Sequence, residues 1–584
     1  MKRIAVVDNQ KLRELEVKHQ ILKICPVNRT GTVCITMDEK EKIHIDEITC
    51  IGCGLCVRLA PQALQIINLP TAAQKDPIHQ YGENGFRIFD LPYVQEGTVT
   101  AIMGRNGIGK STVISVLANN TKANFGNYQK QLETEEYFGI LNSRFKGTVL
   151  QTYFDKLKKD QIKVAFKPQH ILAIPQVFSG TVIELFKKIS QNETQIQELA
   201  HKLQITPILS RDIKVISGGE LQRVALCSCL LKDQANLFIF DEISNYLDIY
   251  QRLNSSRLIT DITQGKTALL VEHDLIVLDY LADYIHIMFG QPAGYGMLTG
   301  VKSAKAGIND YLEGYSKEEN VKFRERAITF DKDIIIEAKK VESLTKWSTE
   351  EIVAGTFKVT INAGEIKRGE VVGIIGQNAL GKTTFIRHLV SKGMGTLYLS
   401  YKAQMIEKTD NLVLAELSQY QNFEDSFYQV HVLEPLNIEP LLEKNVQELS
   451  GGELQRYAIA KCLLQDADLY LLDEPTAFLD IEDRLKVAKM LKNFIVLKDK
   501  SAFIIDHDLV FMDYLSERLL VFMGEPSIQA QTHGPLSMKD GMNLFLKELA
   551  ITFRRDEQNK RPRVNKLGSV KDQEQKRNNE YYYS

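Results

Sequence analysis

Two segments of the chain have the residue types and spacing of a phosphate-binding loop. Gly104–Ser111 and Gly376–Thr383 both read G-x-x-x-x-G-K-[ST], and each follows an apolar run. In such a loop the backbone N–H groups surround phosphate oxygens, the Lys reaches the β and γ phosphates, and the hydroxyl binds Mg²⁺. The pattern predicts two sites for ATP and Mg²⁺. The predicted loop contacts are Gly104, Asn106, Gly107, Gly109, Lys110, Ser111, Thr112, Gly376, Asn378, Gly381, Lys382, Thr383 and Thr384.

A pair of acids follows each loop, at the end of a later apolar run. The pairs are Asp241-Glu242 and Asp473-Glu474. The Asp of each pair suits the coordination shell of Mg²⁺, and the Glu suits activation of the attacking water. Capping of a following helix is the alternative interpretation, but the loops and acid pairs recur in one order, which favours catalysis.

Each half also contains a Gln and a His at matching places. His273 and His507 follow β-rich runs and are candidates for sensing the γ phosphate, while the two Gln are placed to contact Mg²⁺ or water. We therefore predict that Ser111, Gln169, Asp241, Thr383, Gln404 and Asp473 bind Mg²⁺, and that Glu242, Glu474, His273 and His507 are catalytic.

These motifs lie in two stretches in which short β-rich runs alternate with helical ones. The runs are 98–103, 237–240 and 268–271 in the first stretch and 371–375, 469–472 and 502–505 in the second. Such alternation is typical of α/β domains with largely parallel sheets. A chain of 584 residues exceeds what one hydrophobic core supports, so we expect several domains.

Composition narrows the functional class. The net charge of −2 argues against a surface coated all over for nucleic acid, although local basic patches remain compatible with it. No apolar run approaches the roughly 18 residues that span a bilayer. We expect a cytoplasmic protein with no membrane partner.

A heptapeptide, SGGELQR, occurs twice without change, at 217–223 and 450–456. The order of phosphate loop, Gln, heptapeptide, acid pair and His resembles that of the ABC-type ATPases. In that family two nucleotide domains face each other head to tail, and each ATP lies between one domain's phosphate loop and the other's signature. The resemblance implies that Lys110 shares an ATP with Ser450, and Lys382 with Ser217. The implied signature contacts are Ser217, Gly218, Gly219, Ser450, Gly451 and Gly452.

The N-terminal part of the chain is rich in cysteine. Cys50-x-x-Cys53-x-x-Cys56 has the spacing of a ferredoxin-type cluster, whose fourth ligand precedes a proline elsewhere in the chain. Cys25 precedes a proline. We predict one [4Fe-4S] cluster held by these four cysteines. Zinc is the alternative metal and Cys34 the alternative fourth ligand.

This segment, set before twin ABC domains, narrows the resemblance to the ABC E subfamily of ribosome-recycling ATPases, also called the RNase L inhibitor family. Segments 25–31, 66–70, 551–555 and 561–566 carry the likeness and are not general to ABC domains. The resemblance covers nearly the whole chain.

The chain departs from that family at one set of positions. The family normally carries two [4Fe-4S] clusters, and the four ligands of one fall on Leu12, Val17, Ile21 and Ala60 here, which are all aliphatic. We therefore predict that this cluster has been lost as a unit and that aliphatic side chains fill its volume.

The expected organisation follows from these landmarks. A short repeat, 307–309 with 327–330 and 541–543 with 550–553, suggests that each domain carries part of a shared hinge. We expect a ferredoxin-like iron–sulfur domain at 1–72, a first ABC domain at 73–305 with a helix-loop-helix insertion at about 132–160, hinge 1 at 306–335, a second ABC domain at 336–540, and hinge 2 with a basic C-terminal tail at 541–584.

Several differences separate the two halves. The insertion contains Tyr137, Phe138, Arg144, Phe145 and Lys146, a mixture that favours contact with rRNA. Ala379 replaces a glycine of the second phosphate loop, and Ile243 replaces the proline that usually follows the first acid pair. Candidates for stacking on adenine are Tyr81 or Phe86 in the first site and Trp347 in the second.

The resemblance implies an ATP-driven factor that splits ribosomes after termination or stalling, through closure of two domains that moves the iron–sulfur domain. The implied partners are the small ribosomal subunit with its rRNA and proteins, a release or rescue factor, and initiation factors. Alternatives are an iron–sulfur redox protein, a nuclease-inhibitor binding module, and the ATPase subunit of a transporter.

Overall fold

The computed structural model describes residues 3–12, 14–70, 75–129, 132–325, 327–330, 342–355 and 357–582. The expected domain boundaries at 72/73 and 335/336 lie outside the described residues.

A small apolar core organises the N-terminal domain. Strand Arg3–Val7 pairs antiparallel with Leu64–Asn68, and Ile35–Met37 pairs antiparallel with Ile43–Ile45. The helices are Leu15–Ile24, Pro26–Arg29 and Leu55–Leu59. Side chains from these elements meet in one core, to which Leu12, Val17, Ile21 and Ala60 all belong, together with Cys25, Cys34, Cys50 and Cys56.

The first ATPase domain is built on a sheet whose central strands are parallel. In spatial order the strands are His79–Gln80, Arg87–Ile88, Tyr295–Leu298, Tyr284–Gln291, Val99–Met103, Thr267–Val271, Leu237–Asp241 and Val164–Lys167, and Lys302–Ser303 pairs with Tyr284–Gln291. Strand Leu237–Asp241 is buried along its whole length, because helices cover both faces of the sheet. The predicted parallel core is confirmed, and antiparallel pairs extend it at one edge.

Helices pack on both faces of this sheet. They are Lys110–Leu117, Thr134–Arg144, Val149–Lys158, Ile174–Val177, Val182–Ile189, Glu193–Lys202, Gly218–Leu230, Ile249–Thr263, Leu275–Leu281 and Ala304–Glu313, with short 3₁₀ turns at Ile171–Ala173 and Thr206–Ile208.

The second ATPase domain repeats this plan. Its strands, in spatial order, are Glu350–Ala354, Phe357–Ile361, Gln529–Ser537, Arg518–Glu525, Val371–Ile375, Ser501–Ile505, Leu469–Asp473 and Leu399–Lys402, with a separate pair, Ser343–Trp347 and Gly364–Lys367. Its helices are Lys382–Lys392, Val413–Leu417, Ser426–Tyr428, Gly451–Leu463, Ile481–Leu497, Leu509–Leu515 and Met538–Glu548, with a π-helical turn at Gln429–Leu433 and 3₁₀ turns at Gln421–Phe423, Glu439–Leu441 and Val446–Glu448. The predicted two-domain α/β fold is confirmed.

The insertion in the first domain is a helical hairpin, Thr134–Arg144 and Val149–Lys158. Tyr137 and Phe138 are buried in its core and Phe145 is half-buried there, 5.7 Å between ring centres from Phe154. Sequence reasoning offered these aromatic residues for contact with rRNA, and for them that reading is wrong because they hold the hairpin together. Lys146 is exposed.

The repeated hinge motif has a physical cause. Gly307 and Gly541 lie in equivalent helices, Ala304–Glu313 and Met538–Glu548, each packed on a long strand. A Cβ added at Gly307 would lie 2.8 Å from Cβ of Ile285, and one at Gly541 would lie 2.8 Å from Cβ of Leu519. Only glycine permits this close approach of helix to strand.

The C-terminal segment joins the two domains. Strands Phe553–Arg555 and Pro562–Val564 pair antiparallel, and the helix Val570–Arg577 follows. Tyr315–Ser316 and Val321–Lys322 form a similar small pair in the first hinge. The segment predicted to be a basic tail is folded as far as Tyr582, whose side chain is buried and hydrogen bonds to Asp513.

Candidate active site

The first phosphate loop connects strand Val99–Met103 to helix Lys110–Leu117. Gly109 caps that helix at φ 95°, and a Cβ there would lie 2.7 Å from the ring of Phe86. The Lys110 ammonium donates to the carbonyls of Gly104 at 3.0 Å and Arg105 at 2.7 Å, and burial lowers its pKa. Free N–H groups at a helix start and a buried cation together suit a phosphate anion.

The second loop has the same geometry. The Lys382 ammonium donates to the carbonyls of Gly376 at 2.8 Å and Gln377 at 2.6 Å, and burial lowers its pKa to about 8. Ala379 has φ 61°, whereas its counterpart Gly107 has φ 76°. This position therefore requires a left-handed backbone, which strains alanine and not glycine.

The acid pairs lie beside the loop hydroxyls. Thr383 Oγ1 donates to Asp473 Oδ2 at 2.7 Å, and the Ser111 hydroxyl hydrogen bonds with Asp241. The other oxygens, Oδ1 of Asp241 and of Asp473, are buried without a hydrogen-bond partner among the described residues. Burial, followed by the charge of Glu242, raises the pKa of Asp241 to about 7. A buried carboxylate oxygen beside a hydroxyl is the donor set that Mg²⁺ prefers, so these residues fit the ion.

The Gln and His of each half converge on the Glu of the acid pair. Gln169 Nε2 donates to Glu242 Oε1 at 2.7 Å, and His273 Nε2 lies 3.7 Å from the same oxygen. In the second half, Gln404 Nε2 lies 2.8 Å and His507 Nε2 3.5 Å from Oε1 of Glu474. The predicted contact of either Gln with Mg²⁺ stays a prediction.

Electrostatics distinguish the groups around the two acids. Burial, and then the charges of Lys110 and Arg484, lower the pKa of His273 well below its ordinary value, so this imidazole is neutral. Burial alone would raise the pKa of Glu474, but the nearby His507 and the hydrogen bond from Gln404 outweigh it and lower the pKa to about 2. Glu474 is therefore an ionised hydrogen-bond acceptor, as activation of water requires.

Sequence reasoning missed two buried lysines. Lys167 Nζ donates to the carbonyls of Asp241 and Glu242, both at 2.8 Å. Lys402 makes the matching bonds to Asp473 at 2.8 Å and Glu474 at 3.0 Å. Burial lowers the pKa of both ammonium groups to about 8. They fix the backbone of the acid pairs, and a Lys two positions before each Gln was the available signal.

The two domains enclose a cleft of about 1450 Å³ between them. One wall carries the first phosphate loop with Gln169, Glu242 and His273, and the facing wall carries Ser450, Gly451 and Gly452 of the second signature. The amide of Asn106 donates across the cleft to Asp480 Oδ2 at 3.1 Å. The structure thus brings the first loop and the second signature to one cavity.

The reciprocal interface is joined in the same way. The amide of Asn378 donates to Asp248 Oδ2 at 2.6 Å. Tyr246 and Phe478, which precede these aspartates in the two halves, meet edge to face with ring centres 5.6 Å apart. Neither aspartate was among the sites predicted from the sequence, and each contacts the opposing phosphate loop.

The aromatic residues predicted to stack on adenine have different surroundings in the two halves. Tyr81 is 53% exposed beside the first loop, and its hydroxyl lies 3.0 Å from Thr112 Oγ1. Trp347 instead donates to the carbonyl of Asn362 at 2.8 Å and packs on Gly364. The candidacy of Trp347 stays a prediction, and its ring also packs edge to face on Phe503 of the domain core. The hairpin register matches Tyr81 with Ala354, so the second loop lacks this aromatic.

The cysteines converge on one small cavity in the N-terminal domain. Its lining includes Cys25, Cys34, Cys50, Cys53 and Cys56, with apolar neighbours. No three metal-binding side chains of the described residues meet closely enough to hold a single metal ion. The Cys34 thiol donates to the carbonyl of Asp46 at 3.9 Å. The donor set fits an iron–sulfur cluster, since thiolates from two separate segments face the same space.

Comparison with known proteins shows the family. A family model described as ABC transporter matches residues 92–245 and 361–477. An uncharacterized ABC transporter ATP-binding protein of Methanocaldococcus jannaschii is 43% identical over 594 residues, covering all of this chain and 97% of the relative. ABC transporter E family member 1 of Arabidopsis thaliana is 38% identical over 601 residues, covering all of this chain and 98% of the relative. The chain belongs to the ABC E family.

Solved structures of the ABC E family agree with this assignment. A structure described as RNase-L Inhibitor has a TM-score of 0.82 and 43% identity, covering 87% of this chain and 100% of its own. The structure of ribosome-bound archaeal Pelota and ABCE1 has a TM-score of 0.92 and 41% identity, covering 100% and 99%. The predicted family and ATPase activity are confirmed. None of the described helices is long and apolar enough to cross a membrane.

Proposed function

We propose that this ABC E protein is a cytoplasmic, ATP-driven ribosome-recycling factor. Its partners would be the small ribosomal subunit, with its rRNA and proteins, a release or rescue factor of the Pelota class, and initiation factors. The full-length similarity to ABCE1 bound with Pelota on the ribosome supports these partners.

The observation that carries the mechanism is the composite cleft. Because the first phosphate loop and the second signature line one cavity, a bound nucleotide would contact both domains. Binding would then favour the closed arrangement, and hydrolysis would release it. Closure would move the N-terminal domain, which packs against the first ATPase domain through Gln65 and Gln291, 2.9 Å apart.

The residues of the two nucleotide sites have separate proposed roles in hydrolysis. The loop amides, Lys110 and Lys382 would bind the phosphates, and Asp241 and Asp473 with the loop hydroxyls would hold Mg²⁺, which neutralises charge on the phosphates when bound. Glu242 and Glu474 would orient the attacking water, and His273 and His507 would contact the terminal phosphate.

The signature serines would complete each site from the opposite domain. Ser217 and Ser450 cap their helices, and each accepts a hydrogen bond from the Glu three residues later. These helix starts offer further N–H groups to phosphate oxygens.

Ribosome splitting is tested by sedimentation of purified ribosomes with the protein, ATP and a Pelota-class factor. We expect subunit release by the unmodified chain and loss of multiple rounds of release by Glu242→Gln with Glu474→Gln. Glu407→Gln, an exposed Glu outside both sites, is the matched control and should behave as the unmodified chain. No release by the unmodified chain, or equal release by the double variant, would overturn the proposal.

We further propose one [4Fe-4S] cluster, held by Cys25, Cys50, Cys53 and Cys56. The second set of ligand positions is aliphatic and packed into the domain core, which supports the loss of the other cluster. Iron and sulfide counting on anaerobically purified protein should give about four of each per chain. About eight iron atoms, or stoichiometric zinc without iron, would contradict this.

The fourth ligand is tested by a matched pair of variants. Cys25→Ser should lose the bound iron, while Cys34→Ser should keep it, because the Cys34 thiol is engaged with a backbone carbonyl. The opposite result would assign Cys34 as the ligand.

A further inference from the structure

The loops that follow the two catalytic acids differ at one polar position. Counting three residues on from the Glu reaches Asn245 in the first half and Ala477 in the second. Glu242 and Glu474 have nearly the same backbone, with φ 53° and φ 48°. The two side chains therefore start from similar backbone positions, and their contacts with neighbouring side chains can be compared directly.

Glu242 is held through both of its carboxylate oxygens. Gln169 Nε2 donates to Oε1 at 2.7 Å, and Asn245 Nδ2 donates to Oε2 at 2.5 Å. The Glu242 side chain is 11% exposed. Two amides thus fix this carboxylate from opposite sides.

Glu474 is held through one oxygen. Gln404 Nε2 and His507 Nε2 both approach Oε1, at 2.8 Å and 3.5 Å. Among the residues that the structure describes, none donates a hydrogen bond to Oε2 of Glu474. Its side chain is 24% exposed, against 11% for Glu242.

A carboxylate that activates water must present a free lone pair to that water in the correct place. A hydrogen bond from an amide to an ionised carboxylate is among the stronger neutral–charged contacts, and it fixes the orientation of the carboxylate that has to meet the water. One oxygen of Glu474 has no donor among the described residues, whereas each oxygen of Glu242 already accepts from an amide, so a water at Glu242 must share an oxygen with one of these donors or displace it.

We propose that Asn245 is a positioning residue that holds Glu242 in a resting orientation, so that hydrolysis in the first site requires release of this amide and is slower than in the second site. The residue acts through Glu242 and has no role in binding the nucleotide. The inference rests on the ATPase activity of the two sites and is independent of ribosome splitting.

The loop that carries Asn245 also carries Asp248, which accepts the amide of Asn378 across the opposite interface. Closure of the second site therefore moves or fixes the segment that holds the first catalytic acid. Breaking of the hydrogen bond between Asn245 and Glu242 would in this way depend on how the two domains are arranged.

Single-turnover hydrolysis in site-isolated backgrounds tests the proposal. The first site is measured in Glu474→Gln protein and the second in Glu242→Gln protein. Asn245→Ala should raise the first-site rate about three- to tenfold, as loss of one amide–carboxylate hydrogen bond predicts. The reciprocal Ala477→Asn should lower the second-site rate by a similar factor. The affinity for a fluorescent ATP analogue should stay unchanged in both.

Asn245→Leu distinguishes loss of the hydrogen-bond donor from loss of side-chain volume, because leucine is similar in size to asparagine and has no donor. It should raise the first-site rate as Asn245→Ala does. Unchanged or lowered rates in both Asn245 variants would overturn the proposal, as would a change in affinity without a change in rate. Should the Asn245 variants fail to fold, Ala477→Asn still decides, because an unchanged second-site rate contradicts the mechanism.

Discussion

Glu482, in the second ATPase domain, lies 3.6 Å from the guanidinium Nε of Arg105 in the first phosphate loop. The same carboxylate lies 3.4 Å from Arg324 of the first hinge. The corresponding positions in the other half are Gln377 and Tyr250, neither of which is charged. One interface thus carries an ion-pair network around Glu482 that its counterpart lacks at the matching positions.

We expect nucleotide binding at the first site to weaken with salt more steeply than at the second. The Arg105 side chain is 45% exposed, so the pair contributes only about 0.5 kcal/mol and is screened by salt. Arg105→Gln should remove the excess salt dependence, as measured by titration of an ATP analogue into site-isolated protein. Gln377→Ala is the matched control, and an effect of equal size there would contradict the expectation.

Ala379→Gly should stabilise the second phosphate loop. The substitution relieves a left-handed alanine at φ 61° and should gain about 0.5–1 kcal/mol after the greater entropy of glycine is subtracted. The reverse change at the matched position, Gly107→Ala, should destabilise the first loop, because φ there is 76° and the added Cβ makes only an ordinary contact with Pro292 at 3.6 Å. Thermal unfolding with and without ATP measures the stability of both variants. Shifts of the unfolding temperature in the same direction would contradict the idea that a left-handed alanine is strained here.

Tyr81→Ala should weaken ATP binding at the first site about tenfold, the usual effect of losing an aromatic that stacks on a base. Ala354→Tyr should strengthen the second site, because its position in the hairpin matches that of Tyr81. GTP and ATP titrations would separate base stacking from phosphate contacts. No change in either variant would exclude stacking at this hairpin.

Asp279→Ala should destabilise the joined domains by about 3–5 kcal/mol. Asp279 accepts from Arg561 at 2.5 Å and from Arg563 at 3.2 Å, and removing it leaves two buried guanidinium groups without this carboxylate. Denaturant unfolding measures the loss. Glu135→Ala, which removes an exposed ion pair with Lys158, should change stability by less than about 1 kcal/mol, and an equal loss there would refute the argument.

Much of the fold could be predicted because the motifs come with fixed local geometry. An apolar strand followed by Gly104–Ser111 or Gly376–Thr383 specifies a strand, loop and helix whatever surrounds it. The central strands matched their predicted positions within one residue, as at Val371–Ile375. The presence of two domains with the same fold could be predicted because each motif occurs twice in the same order.

What could not be predicted depends on contacts between distant segments. Trp347 lies near the start of its domain, and only the pairing of its strand with Gly364–Lys367 shows that its indole donates to Asn362 and packs on Gly364. The sequence does not show that Tyr137 and Phe138 are buried, because their burial depends on how the two helices of the hairpin pack on the domain. The short Asn245 contact is equally invisible in a sequence, because it depends on a side-chain orientation.

Asp279 and Arg561 are 282 residues apart in the chain. At a synthesis rate of about 5–20 residues per second, a ribosome needs roughly 15–60 seconds to make that interval. Throughout that time the nascent first domain carries a carboxylate whose two guanidinium partners do not yet exist. The first domain therefore completes this buried ion pair only after the C-terminal segment has been synthesised. Truncated products would keep an incompletely assembled first domain, which proteolysis would remove.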